Sequence, residues 1–263
     1  MSTRDRDRAL THTIDAMPTT PPAPVPDGTA DSGACSDVRV EVLTAVFQVR
    51  QTDSSSAPVL CVLLGRDGGP SSADTWSLPR GGVAAEETLA TSARRLVAEK
   101  VDIGTLAHLE QLSVFSAPHR VPGVRTIAST YLGLVPTDAV TTLPDTAAWH
   151  PVDALPALAF DHGDIVTKAR DRLAAKLSYT NIAFALAPER FPMSELSEIY
   201  CAALGYPVDT TNLLRILSRR AVVVATGTVG KTSKSGGRPP ALYAFADSRL
   251  RVTDEFVTLR PPM

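Results

Sequence analysis

An α+β chain in two folded parts, preceded by a polar tail, is the class this sequence predicts, and three observations predict it. Hydrophobic residues make up 44% of the 263 positions, enough for sizeable cores, while charged residues stay at 21%. Strand-like and helix-like runs alternate in the first part, and three short helical patterns followed by two strands fill the second. Charge divides along the same line. Residues 1–163 carry 12 Lys+Arg against 19 Asp+Glu, and residues 164–263 carry 14 against 9. A formal net charge of −2 thus conceals an acidic first part and a basic second one. Within 211–240 stand six basic residues and no acidic one, a composition that suits a phosphate backbone or a solvated face.

Residues 1–37 hold no aromatic and five prolines between Pro18 and Pro26, and read as a disordered tail. The opening MSTRDRDRAL mixes acids with bases and has no apolar run behind it, so it is not a secretory signal. No stretch approaches the roughly 20 apolar residues of a membrane span. Cys35, Cys61 and Cys201 are odd in number and far apart, which gives neither a disulfide framework nor a structural zinc site. A cytoplasmic protein with no membrane partner is expected. Folded structure starts with strands at 38–50 and 58–66, where β-branched residues partly alternate. A loop at 67–76 leads to LPRGG and then to a helix from about Thr88 to Lys100, on which Leu89, Ala93, Leu96 and Val97 share one face. Strands are predicted at 108–115 and 124–136, and a short one between Trp149 and Leu155. The expected layout is a tail at 1–37, a first domain at 38–163, a linker helix at 164–179 and a second domain at 180–263.

The second domain opens with short helical patterns at 180–187, 194–204 and 210–220. Ser194 and Asp209 are placed to cap the second and third, and Gly205 to end the second. AVVVATG, a basic tip and ALYAFA then make strand, loop and strand. This order is the pattern of a winged helix-turn-helix, whose third helix enters the major groove by its N-terminal part. Thr211, Asn212 and Arg215 are candidates for base edges, and Arg219 and Arg220 for phosphates. Lys231, Lys234 and Arg238 in the wing are candidates for phosphate or minor-groove contact. An exposed-surface role is the alternative for each cation. Ala225 to Thr232 imitates a nucleotide-binding P-loop, but its first glycine is Ala225 and the following SKSGGRPP resists the helix that such a loop requires.

Trp76 to Gly82 followed by the helix resembles the Nudix family of diphosphate-cleaving hydrolases. With the signature's first glycine at Gly81, Glu87, Arg95, Val97, Glu99 and Ile103 fall on the pattern. Leu96 and Lys100 stand where the family has glutamates, and Asp102 where it has glycine. Carboxylates at such helical spacing hold Mg²⁺ against a diphosphate, and one remaining carboxylate is a poor site for an ion that demands octahedral oxygen. The resemblance therefore implies a Nudix-like α/β/α sandwich without catalytic residues, bound metal or cofactor. A ligand-binding role survives that loss. Lys100 is placed to meet a diphosphate, arginines such as Arg80, Arg120 and Arg125 pair well with phosphate, and Trp76 and Phe115 are able to stack on a base. A core role for the two aromatics and a surface role for the basic residues remain open.

The stretch Tyr179-Thr180, Pro188 to Phe191, Ser194 to Leu196, Asp209 with Asn212, and Gly236 to Tyr243 resembles the winged-helix domain of Nudix-related transcriptional regulators of NAD metabolism. Together the two resemblances cover about 38–246. They imply a homodimeric repressor that reads a pseudopalindromic operator in double-stranded DNA and answers to an NAD-derived nucleotide such as ADP-ribose or NAD. Where that family's recognition helix has Asn-Phe-Arg-Arg-Lys, this chain has Asn212-Leu213-Leu214-Arg215-Ile216, so its operator contacts differ. The alternative is a Mg²⁺-dependent Nudix hydrolase of ADP-ribose or a related nucleoside diphosphate, with the second domain as an accessory.

Overall fold

The computed structural model describes residues 37–53, 56–66, 75–99, 106–230 and 239–254, and the backbone of Lys100. All but the last residue of the expected tail lies outside the described residues. So do the wing tip with Lys231, Lys234 and Arg238, Asp102 and Ile103, and the side chain of Lys100.

The first strand, β1 (Arg39–Arg50), organises the sheet. It pairs antiparallel with β2 (Val59–Arg66) and parallel with β6 (Thr126–Leu134). Two short strands, β3 (Trp76–Ser77) and β4 (Arg80–Gly82), pair with β2 and β1. On the outer sides, β5 (His108–Phe115) joins β6 and β7 (Ala147–Pro151) joins β2. Alternation along β1 sorts two faces, as a pleated strand must. Val42 and Val46 meet α1 (Leu89–Lys100) through Ala93, Leu96 and Val97. Leu43, Ala45 and Phe47 look the other way, into the core shared with α2 (His162–Tyr179). The α/β/α sandwich is thus present, with α2 starting two residues before the expected linker helix.

Past α2 the expected helix at 180–187 reduces to a single 3-10 turn at Ile182–Ala185. Asn181 explains the shortening. Its side chain donates to the carbonyls of Asp247 and Arg249 and accepts from the Arg251 amide, so it serves the irregular segment at 247–251 instead of continuing a helix. β8 (Phe191–Pro192) leads into α3 (Met193–Leu204), and Pro192 rather than Ser194 occupies the cap position. Gly205 ends α3 at φ 77°, a conformation that glycine adopts without strain. Asp209 caps α4 (Thr210–Arg219) by accepting from the Asn212 amide at 2.7 Å. Strands β9 (Val223–Val229) and β10 (Ala241–Phe245) complete a three-stranded sheet in the order β8-β10-β9. Ala225 to Val229 therefore lies in a strand, which disposes of the P-loop likeness. No helix among the described residues is long and apolar enough to cross a membrane.

A single apolar core runs from the sheet through α2 into the winged helix, including Leu43, Phe47, Ile165, Leu173, Phe191, Leu196, Leu213 and Leu217. Charge fastens the same helix to β5. Glu110 receives Lys176 at 2.7 Å and His108 at 3.0 Å, with Arg172 at 3.5 Å. Burial raises the cost of its charge, but the hydrogen bonds from His108 and Lys176 prevail and hold the carboxyl at about 2. A depressed folded value means stability present above the unfolded carboxyl range, near 4.5, and lost as pH falls toward 2. Glu110→Gln is expected to flatten the decline of melting temperature between these limits. Parallel pH profiles for variant and wild type would refute the clamp.

Candidate effector cavity and nucleic-acid interface

The Nudix-like turn brings Arg80, Gly81 and Gly82 against Glu41 and Arg39 around a cavity of about 380 Å³. Beside it, Leu96 is 5% exposed and packs with Val42, Ala93 and Tyr131. Its methyl groups fill the space where a side chain at Gly81 would have to sit. Glu87 is equally committed. It accepts from Arg95 Nε at 2.8 Å, from Arg95 Nη2 at 2.9 Å and from Ser92 Oγ at 2.7 Å. Those bonds, Arg95's first and Ser92's next, hold its carboxyl down to about 2. Arg95 also donates to Glu99 at 3.0 Å. Glu87 and Glu99 thus share one arginine, a leucine occupies the third position, and the residues do not fit a Mg²⁺ ion. Among the described residues no three His, Cys, Asp or Glu are placed to hold a metal.

The other candidates for the ligand divide. Arg80 lines the cavity and stands 3.7 Å from Glu41. Arg120 lies inside the wall, its side chain 1% exposed, bonded to Glu41 at 2.6 Å and to both oxygens of Asp161 at 2.7 and 2.8 Å. Arg125 donates to the Ser116 carbonyl at 3.4 Å. Trp76 is a core residue, with Arg66 over its ring and His150 at its edge. Phe115 packs against the same core under Lys168. Arg39 and Glu41 escaped the sequence reading because a strand's alternation marks burial and says nothing of which strand end borders a cavity. A larger cavity, about 700 Å³, lies between β1, the 137–141 loop and α3. Asp138, Glu195 and Glu198 line it. Burial first, then Glu198 and Asp138, push the Glu195 carboxyl up, and Arg50 lines the same cavity.

At the winged helix, α4 buries Leu213 and Leu217 and exposes Thr211, Asn212, Arg215, Ser218 and Arg219 along one stripe. Arg215 donates to Asn212 Oδ1 at 2.6 Å, which brings these two predicted base contacts together. Leu214 and Ile216, which replace basic residues of the resembling family, are half-buried. Arg220, expected at a phosphate, is engaged within the protein and partly exposed. It caps α4, donating to the Ser178 carbonyl at 3.0 Å and to Asp254 at 2.7 Å. The turn between α3 and α4 is held on Val208, whose carbonyl accepts from Ser197 and whose amide donates to the Cys201 sulfur.

A Nudix sandwich built continuously onto a winged helix defines a class, the regulators that join a nucleotide-handling domain to a DNA-binding one. Residues 42–169 match the NUDIX domain and residues 183–245 match the NrtR DNA-binding winged helix domain. The chain is 30% identical over 221 residues to the ADPR responsive transcriptional repressor NtrR of Acinetobacter baylyi, across 80% of this chain and 84% of that protein. It is similar in fold to Shewanella oneidensis NrtR crystallised with a 27mer DNA, at TM-score 0.66 and 25% identity over 78% of this chain and 93% of that one. A MutT/nudix family protein from Enterococcus faecalis shares the fold, at TM-score 0.63 and 20% identity over 80% and 89% of the two chains. The chain belongs to the NrtR family of Nudix-related transcriptional regulators.

The packing of Leu96 against Gly81 is open to a direct check. Gly81→Ala must displace a buried leucine, and overpacking of this kind costs about 1–3 kcal/mol. Urea denaturation measures the loss, and an unchanged midpoint would show that the space is not filled.

Proposed function

We propose that this chain represses transcription of genes of NAD metabolism, and that its Nudix domain senses an NAD-derived nucleotide, ADP-ribose foremost, without hydrolysing it. The observation that carries this reading is the replacement of a Nudix carboxylate by a buried leucine in a domain that shares its core with a winged helix. The A. baylyi relative, named for its response to ADPR, and the DNA complex of the S. oneidensis protein support it. In this reading residues 38–163 sense, 164–179 link and 180–263 bind DNA, in a cytoplasmic homodimer. Two recognition helices then read half-sites about one helical turn apart. The nucleotide meets Arg80 and Arg39 at the cavity, with Arg125, whose carbonyl accepts from the Arg39 amide at 2.8 Å, and Lys100 as further cations. Thr211, Asn212 and Arg215 read bases, Arg219 faces phosphate, and Lys231, Lys234 and Arg238 carry the wing's phosphate contacts.

DNA binding to the gene's own upstream regions, followed by fluorescence anisotropy with and without ADP-ribose, NAD and NADH, tests this directly. At least one nucleotide is expected to change operator affinity fivefold or more, on the order of a typical allosteric coupling. Equal affinity in all conditions refutes the sensing role. Arg215→Ala is expected to cost about 1–3 kcal/mol on operator DNA and far less on unrelated sequence, whereas Lys231→Ala weakens both alike. Retention of Glu87 and Glu99 favours the second reading, a Mg²⁺-dependent hydrolase. No nucleotide release from ADP-ribose with Mg²⁺ is expected, and release abolished by Glu99→Gln would establish that reading instead.

A further inference from the structure

Two arginines grip the residue pair from which α2 springs. The guanidinium of Arg80, in the cavity wall, lies 5.7 Å from the ring centre of Phe160. Arg120 binds Asp161 with two bonds and Glu41 with a third. Phe160 has a φ of 49°, in the left-handed region where a bulky side chain is strained and is kept only by its surroundings. Asp161 directly precedes α2, yet its side chain makes no cap bond, and both its oxygens belong to Arg120. From there α2 runs 18 residues, about 27 Å. At its far end the Ser178 carbonyl accepts from Arg220, the cap residue of the recognition helix α4.

We propose that Arg120 and Asp161 are the positioning pair through which a nucleotide in the Nudix cavity sets the recognition helix, with residues 160–161 as the hinge and α2 as the lever. The proposal rests on the reading of that cavity as the nucleotide site. Arg80, Arg120, Glu41 and Asp161 are linked in one group, Glu41 standing between the two arginines and Asp161 on Arg120. A diphosphate beside Arg80 draws its guanidinium away from Glu41 and from the Phe160 ring. Glu41 then leans on Arg120 alone, and Arg120 divides its donors differently between Glu41 and Asp161. Phe160 is 48% exposed, so withdrawal of the Arg80 guanidinium leaves its left-handed backbone free to relax and the hinge to take a second conformation. Arg220 passes the new setting of α2 to α4. The ligand achieves this only by binding the two settings unequally.

Asp161→Asn in the full-length protein separates the device from the site. Calorimetry with ADP-ribose is expected to give a Kd within about threefold of wild type, because Asp161 does not line the cavity. The effect of ADP-ribose on operator affinity, at least about fivefold in wild type, is expected to fall to near onefold. Asp161→Glu, which keeps the carboxylate, is expected to recover part of it. A wild-type response in Asp161→Asn overturns the proposal. Absence of any response in wild type overturns the functional reading on which it rests, a separate failure. Should Asp161→Asn not fold, hydrogen exchange on wild type decides the matter. ADP-ribose is expected to alter protection at 162–180 and 220–222, and a change confined to the sheet and α1 overturns the relay.

Discussion

The apolar stripe of α2 is the constraint on which the rest of the molecule depends. Ile165, Ala169, Leu173 and Leu177 recur every four residues and enter a core that also contains Leu43 and Phe47 of the sheet and Phe191 and Leu196 of the winged helix. Neither part buries its apolar face by itself. A stiff element shared in this way removes the freedom that a flexible linker would give, since reorienting the winged helix means repacking a core close to crystal density. The position of α4 is therefore referred to the sheet, and through the sheet to the cavity beside Arg80.

Electrostatics sorts the cations into two groups that composition alone merges. Arg95, Arg120, Lys176 and Arg220 are committed to Glu87, Glu41, Asp161, Glu110 and Asp254. Arg120 is the buried one among them, and a buried pair specifies geometry more than it adds stability, since losing one partner leaves a charge without compensation. Arg215 and Arg219 face outward from α4. An excess of positive charge in the second part of the sequence is thus a poor count of the groups that face a duplex, and the helix stripe is a better one.

Features set by neighbouring residues were legible in the sequence. β-branched residues in partial alternation marked β1, the spacing of Leu89, Ala93, Leu96 and Val97 marked α1, and Asp209 and Gly205 marked the ends of α4 and α3. Leu96 in place of a carboxylate was visible too, although its seat against Gly81 was not. Elements that exist because of distant partners were missed. Trp76–Ser77 and Arg80–Gly82 are strands because β2 and β1 offer edges to pair with. TNIAFALA has a helical pattern that Asn181 breaks by serving residues almost 70 positions away. Arg120 and Arg220 looked like surface or ligand cations because a sequence shows a charge and not its counter-charge. Their partners lie 79, 41 and 34 residues off.

The strap formed by residues 247–254 has a consequence for how this molecule comes into being. Its backbone is gathered by Asn181, Arg251 holds the carbonyl of Ala221, and Asp254 meets Arg220 at the end of α4. A nascent polypeptide whose ribosome has reached the wing already contains every base-reading candidate, but the fastening that orients them has not yet been synthesised. The setting of α4 is thus completed only once residues 247–254 are in place, and a fragment that stops short of them carries the recognition helix without this fastening.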